Sequence, residues 1–364
     1  LAGSFERDAY AAKVRRYSSA VEAALFSDNV PMAVYDQLIT AVRTHLPVVH
    51  RYYDLRKRLL GLEQIHHYDC YVPLLPELEQ KHTWNEAVAL VVESLAVLGQ
   101  DYGRRLQQGL LGRWCDRYPN AGKHSGAFSS GTYDSDPYIL MNFQEETIEH
   151  VFTLAHEAGH SMHTRYSAEA QPYLSARYTI FVAEVASTFN EQLLAQFLLK
   201  RATSPKKRAA ILVREIDSIR STIVRQTMFA EFERRAHAFV EAGEPLTLER
   251  IRGVYRELLD AYFGPNFTVD KQLELECLRI PHFYNAFYVY KYATGLSAAI
   301  ALAKKVAAGG PQSLEDYRRF LQGGCSKWPL DLLRDAGVDL EKPEPVATAL
   351  SHFGVLVEEL EALL

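Results

Sequence analysis

Two histidines and a glutamate near the middle of the chain have the types and the spacing of a metal site. His156 and His160 stand four residues apart, so on an α-helix both side chains project from one face, where two imidazoles can bind one ion. Glu157 follows the first histidine and would lie near that ion, able to hold a proton of a water molecule. The pattern predicts a zinc site, and the alternative is an accidental histidine pair on an exposed helix.

The surrounding residues predict that this motif lies on a helix. Apolar residues recur at helical spacing through the motif: Val151, Leu154, Ala155 and Ala158. Acidic residues crowd the predicted first turn, where the helix dipole favours negative charge: Glu145, Glu146 and Glu149. The helical context that the metal motif requires is therefore present.

A catalytic zinc ion takes three protein ligands and keeps one position open for water. One solution places a third histidine six residues after the second, but Tyr166 occupies that position here. The other solution is a carboxylate from the next helix, and Glu184 lies on a helix predicted over 181–199. Glu184 is therefore the predicted third ligand, with a solvated acid beside an apolar helix face as the alternative.

Five separated segments together resemble one family of enzymes. They are HEAGHSMH at 156–163, FVAEVASTFNE at 181–191, KHSGAF at 123–128, IPHFY at 280–284 and YVYKYATG at 288–295. In this order they are similar to the thimet oligopeptidase and oligoendopeptidase F family of zinc peptidases, and the similarity covers essentially the whole chain. Members of this type are longer, so we expect an N-terminal portion to precede these residues.

The resemblance implies a mainly α, multi-helical, zincin-like catalytic domain of the neurolysin type, with a small β-sheet beside the zinc helix. It implies one zinc ion per chain, bound by His156, His160 and Glu184, with Glu157 as the general base. Glu191, one heptad after Glu184, is a candidate to accept the second N–H of a ligating imidazole, since such partners orient zinc-bound histidines.

The resemblance also implies a histidine and one or more tyrosines over the zinc ion, where they would stabilise the oxyanion of the tetrahedral intermediate. The candidates are His282, Tyr290 and Tyr288, in that region of the chain. We favour Tyr290 over Tyr288 and assign Tyr292 to packing. The chain departs from thimet oligopeptidase here, because residues 282–285 replace a glycine-rich loop.

The remaining pattern is mainly helical. Helical periodicity is predicted over 8–26, 31–60, 84–98, 103–112, 204–242, 248–263, 281–306, 313–321 and 345–364. Glycine, serine and threonine over 121–143 instead predict a hairpin and a strand running into the zinc helix. An edge strand there could pair with an extended peptide, or the sheet could be purely structural. We expect one catalytic region over 1–364, with a helical lobe at 1–120 and the zinc-site core at 121–364.

Composition excludes several classes of function. A net charge of −5 gives no reason to expect nucleic acid or an anionic membrane as a partner, and no apolar run is long enough to span a bilayer. The four cysteines form no closely spaced pair, which fits a reducing compartment and predicts a cytoplasmic protein. The sequence does not predict an oligomeric state.

The leading hypothesis is a zinc endopeptidase restricted to short peptides, the restriction being implied by the family's deep channel. One alternative keeps the same site but removes residues from the C-terminus, as similar helical zinc carboxypeptidases do. Another is a peptide-binding or structural protein without turnover, against which the intact His156, Glu157, His160 and Glu184 argue.

Overall fold

The computed structural model describes residues 1–75 and 81–364. Its α-helices are α1 (Ala2–Val14), α2 (Ala20–Phe26), α3 (Met32–Leu59), α4 (Trp84–Ser94), α5 (Gln100–Leu111), α6 (Glu149–Ala170), α7 (Ile180–Arg201), α8 (Pro205–Ile219), α9 (Arg225–Glu241), α10 (Leu248–Phe263), α11 (Tyr290–Ala307), α12 (Pro311–Leu321), α13 (Pro329–Asp335) and α14 (Glu344–Leu363). Its strands are β1 (Ile65–His66), β2 (Cys115–Asp116), β3 (Phe128–Ser130), β4 (Tyr138–Leu140) and β5 (Phe267–Thr268). The prediction of a mainly helical fold with a small sheet is confirmed.

The chain divides into two compact units that are not contiguous in sequence. The first unit comprises Leu1–Pro76, Leu212–Thr294 and Leu340–Leu364, and the second comprises Glu77–Ile211 and Gly295–Asp339. These units are defined by packing and do not test the predicted division into a helical lobe at 1–120 and a zinc-site core at 121–364. That division stays a prediction.

In the first unit the long helix α3 packs against α9, α10 and α14, and α1 packs against α9. Aromatic rings fill this core, as where Tyr52 of α3 meets Phe353 of α14 edge to face at 6.1 Å. Helix α3 continues through Pro47, as its periodicity predicted. Strands β1 and β5 form a short parallel pair beside it.

In the second unit α6 and α7 form the most extensive helix pair, and α4 packs against both. The sheet order is β2-β4-β3, with β2 parallel and β3 antiparallel to β4, and β3 lies against α6. The predicted sheet beside the metal-motif helix is therefore present, and β3 is the edge strand that lies against this helix. A capping box begins α4, with the Thr83 N–H donating to the Glu86 carboxylate at 2.8 Å.

Three predicted helices are interrupted in the structure. The run over 8–26 is two helices, because Arg16 adopts a φ of 66° and Ser19 caps α2 by accepting the N–H of Glu22. The run over 204–242 contains a π-helical turn at Arg220–Val224 between α8 and α9. The run over 281–306 is a short 3₁₀ helix at Pro281–Tyr284 followed, after a break, by α11.

Candidate metal centre

Helices α6 and α7 hold the predicted ligands because their backbones approach closely. A Cβ atom on Gly159 would lie 2.5 Å from the carbonyl oxygen of Ala186 and 2.6 Å from Ser187 Cα, so only glycine fits between the helices. Asn190 is fully buried, and its Nδ2 donates to the Ala155 carbonyl at 3.1 Å, which joins the two helices. The position of Glu184 relative to the histidines thus depends on this packing.

Replacing Gly159 with alanine is expected to destabilise the fold by about 1–3 kcal/mol, because the added methyl group clashes with backbone that cannot rotate away. Gly253→Ala is the matched control: it changes another glycine within a helix, α10, where a Cβ would meet nothing within 4 Å. The control should be neutral or stabilise by up to about 1 kcal/mol, through helix propensity. Urea denaturation of both variants measures the difference, and equal midpoints would contradict the close-packing account.

The three predicted ligands converge on one point. His156 Nε2 lies 3.1 Å from His160 Nε2 and 3.5 Å from Glu184 Oε2, and His160 Nε2 lies 3.9 Å from the same carboxylate oxygen. All three ligand atoms lie within 4.8 Å of one another, so one ion placed among them could contact all three. The side chains are partly exposed, which leaves room for a further ligand.

Two neighbouring groups orient these ligands. Glu191 Oε1 accepts the Nδ1 hydrogen of His156 at 2.7 Å, and in the neutral ring this leaves the lone pair on Nε2, which lies toward the other two ligand atoms. Ser187 donates to Glu184 Oε2 at 3.2 Å. The contact with Glu191 agrees with the residue predicted for this role. Ser187 was not predicted, although its position three residues after Glu184 places both on one helix face.

The charges of the site act on its two histidines in opposite directions. Burial alone would lower the pKa of His156, but the hydrogen bond and charge of Glu191, with the charge of Glu184, raise it to about 9. Burial and the neighbouring His156 lower the pKa of His160 to about 3. A positive charge is therefore stabilised at this point of the molecule, as expected where carboxylates surround a cation site.

Glu157 lies beside the ligands in a buried position. Burial, together with the charges of Glu184 and Glu191, raises its pKa to about 7, while His156 and the backbone N–H of Ser129 act in the opposite direction. Its Oε2 atom is buried and has no hydrogen-bond partner within residues 1–75 and 81–364. A buried carboxylate oxygen without a partner is costly, and a water molecule held between it and a metal ion would satisfy it.

The donor set therefore fits zinc. Two imidazoles and one carboxylate are the ligand types of catalytic zinc sites, and the buried oxygen that needs a partner belongs to the neighbouring Glu157. His163, three residues beyond His160, takes no part: it is buried, and its ring stacks on Tyr178 at 3.7 Å.

The candidate oxyanion residues belong to the first unit, and they differ in their exposure to solvent. His282, Tyr288 and Tyr292 form a partly exposed aromatic cluster with ring centroids 5.5–6.0 Å apart. The Tyr292 hydroxyl lies 3.4 Å from His282 Nε2, so this ring has a polar contact besides packing. Tyr290 is fully buried, its ring lies against Tyr35 at 5.3 Å, and burial raises its pKa above the usual range.

The difference in exposure between Tyr288 and Tyr290 arises from a turn that the sequence does not indicate. Phe287 adopts the left-handed conformation with φ 58°, which is rare for a large side chain. Its N–H donates to Glu233 Oε1 at 2.8 Å, and Glu233 is fully buried. Tyr288 therefore precedes α11, and the helix predicted over 281–306 was wrong at its start.

Comparison with known proteins identifies the family. The model of peptidase family M3 matches residues 1–352. The chain belongs to peptidase family M3. It is 46% identical over its full length to oligopeptidase PepF of Bacillus subtilis (strain 168), of which it covers 54%, and 44% identical to an oligoendopeptidase F homolog of Borreliella burgdorferi, of which it covers 62%. The crystal structure of oligoendopeptidase-F from Enterococcus faecium is 36% identical, with a TM-score of 0.80 over 99% of this chain and 58% of that one.

This M3 chain thus spans little more than half the length of the curated relatives it matches. The predicted resemblance to oligoendopeptidase F is confirmed by these relatives and by the shared fold. In the described ranges, every helix is too short or too polar to cross a lipid bilayer.

Proposed function

We propose that this chain carries the catalytic site of a zinc-dependent endopeptidase that hydrolyses short peptides. The observation that carries the proposal is the convergence of His156, His160 and Glu184 within 4.8 Å, beside the buried carboxylate of Glu157. Membership of peptidase family M3 supports hydrolysis of peptides, and the names of the oligopeptidase relatives support short ones.

In this proposal His156 Nε2, His160 Nε2 and Glu184 Oε2 bind one zinc ion per chain. When bound, zinc supplies a Lewis acid that polarises the scissile carbonyl and makes water more acidic. Glu157 takes a proton from the attacking water and then gives it to the leaving amine, so one residue serves as base and then as acid. Glu191 keeps His156 in the tautomer that presents Nε2 to the metal.

The edge strand β3 supports binding of an extended peptide at this site. Ile139 and Met141 donate their N–H groups to residues 114 and 116, so the alternate residues of β4, Tyr138 and Leu140, face β3. The N–H and C=O of Ser129 therefore point to the open edge, and this N–H acts to lower the pKa of Glu157. A peptide that adds to this edge would pass the general base through main-chain hydrogen bonds that do not depend on its sequence.

Cleavage of internally quenched peptides of increasing length tests the proposal. Each peptide is made with a free and with an amidated C-terminus, and each reaction is repeated after chelation and after return of zinc. We expect short amidated peptides to be cut, activity to disappear with the chelator and zinc to restore it. Cleavage of peptides with a free C-terminus alone would indicate a carboxypeptidase, and zinc binding without cleavage would indicate a binding protein.

For the oxyanion we propose His282 and the tyrosines of the same region as donors, as the resemblance implies. His282 and Tyr288 are accessible to a substrate, whereas Tyr290 has no exposed surface, so we now place Tyr288 before Tyr290. This reverses the order expected from the sequence.

Replacing Tyr288 with phenylalanine is expected to lower kcat by about 10- to 10³-fold with little change in KM, because the lost donor acts only in the transition state. Tyr290→Phe removes the same atom from a buried ring and should have a smaller effect on kcat. Steady-state kinetics at matched zinc content compares them. A large effect at Tyr290 alone would restore the original order, and small equal effects would remove both residues from the mechanism.

A further inference from the structure

A cleft in the second unit lies beside the helix that carries the two histidines. It has a volume of about 560 Å³ and is lined by the loop after β3, the C-terminal half of α6 and the loop before α7. The Tyr178 hydroxyl at its wall lies 3.4 Å from the carbonyl oxygen of His160. The cleft therefore begins next to the backbone of His160, whose side chain is the second predicted metal ligand.

The lining of this cleft favours an uncharged aromatic or apolar group. Tyr133 and Tyr173 come from its two loops and meet edge to face at 5.5 Å. Tyr173 is 67% exposed and the adjacent Leu174 is 87% exposed, which leaves a large apolar surface open to solvent. The charged residues of the lining, Asp134 and Arg177, have opposite signs, so neither an acidic nor a basic occupant is favoured overall.

Strand β3 leads directly into the cleft. Gly131 follows the strand and lies so close to α6 that a Cβ there would be 3.1 Å from Thr164 Cγ2. Antiparallel pairing is the more stable arrangement for an added strand, so a bound peptide would run opposite to β3. Its residues N-terminal to the cleaved bond would then lie toward Gly131 and the cleft.

The distances match a few residues of extended peptide. Thr164 and Ala168 lie one and two turns beyond His160, about 6 and 12 Å along the helix axis. An extended chain advances about 3.3 Å per residue, so side chains about two to four residues from the bond would reach the cleft.

We propose that this cleft is a specificity subsite for an aromatic side chain of the substrate, two to four residues N-terminal to the cleaved bond. The inference rests on the proposed function, which supplies the peptide and the position of its cleaved bond. An aromatic ring would pack against Tyr133 and Tyr173, and edge-to-face ring pairs favour binding beyond the area that they bury.

The test scans phenylalanine against alanine at each position N-terminal to the bond in a cleaved peptide. For the unchanged protein we expect kcat/KM to rise about 10-fold with phenylalanine at one of these positions. Tyr173→Ala and Tyr133→Ala should each remove most of that preference. Tyr10→Ala is the matched control, because Tyr10 is 69% exposed on α1 of the other unit, and it should leave the preference unchanged.

Binding of the same peptides to the Glu157→Gln form, measured by calorimetry, separates this inference from the function on which it rests. If no peptide is cleaved but phenylalanine strengthens binding and Tyr173→Ala cancels that gain, the proposed function fails and the subsite stands. If peptides are cleaved with no aromatic preference, or with a preference that both tyrosine variants retain, the subsite inference is overturned.

Discussion

Replacing Glu157 with glutamine is expected to leave zinc bound and to lower kcat for peptide cleavage by about 10²- to 10⁴-fold, the range of general-base catalysis. Glutamine keeps the shape of the side chain but cannot accept a proton from the attacking water. The buried Oε2 of Glu157 accepts no hydrogen bond from the described part of the chain, so the substitution breaks none at that atom.

Glu169→Gln provides the control, since it makes the same change on the same helix, at a residue whose carboxylate pairs with Arg165 and Arg105 on the surface. Such exposed pairs contribute little to stability, so this variant should keep both zinc and turnover. Elemental analysis and kcat are measured on both variants. Near-normal turnover in the Glu157 variant would mean that another group is the base.

Removing the carboxylate of Glu184 is expected to abolish tight zinc binding, because a site with three protein ligands loses one of them. Glu184→Ala should contain almost no zinc after dialysis and should not cleave peptides. Glu191→Ala removes the hydrogen bond to His156 Nδ1 but none of the three predicted ligands, so its zinc affinity should fall by about 10- to 100-fold.

Gln196→Ala, on the same helix but outside the site, should bind zinc as the unchanged protein does. Competition with a chromophoric chelator orders the three variants. Equal affinities in the Glu184 and Glu191 variants would show that Glu184 is not a direct ligand.

The parts of the site that could be predicted from the sequence are those fixed by the geometry of a single helix. His156 and His160 share a face of α6 through their spacing of four, and Glu184 and Glu191 share a face of α7 through their spacing of seven. That the two helices pack together at these residues could be inferred only from the ligand number of zinc and from the family resemblance. The small size of Gly159 allows the two helices to approach, but the sequence alone does not show which residues lie against this glycine.

The parts that could not be predicted depend on contacts between distant segments. The N–H of Ser129 influences the pKa of Glu157 only because β3 packs against α6, and no spacing links the two residues. Phe287 adopts a left-handed conformation that its residue type disfavours, held by Glu233 far away in sequence. That turn decides which tyrosines are exposed, so helical periodicity misplaced the start of α11.

One missed element did leave a local signal. Helix α13 begins at Pro329, and proline at the first position of a helix is common because its missing N–H is not needed there. The segment is short, and its periodicity is too brief to predict a helix without that proline.

The most direct test of the account is an anomalous difference map from crystals of the zinc-loaded protein, with data collected on both sides of the zinc absorption edge. We expect one strong zinc peak per chain, within bonding distance of His156 Nε2, His160 Nε2 and a carboxylate oxygen of Glu184. Absence of a peak there, or a zinc ion bound by other residues, would contradict it.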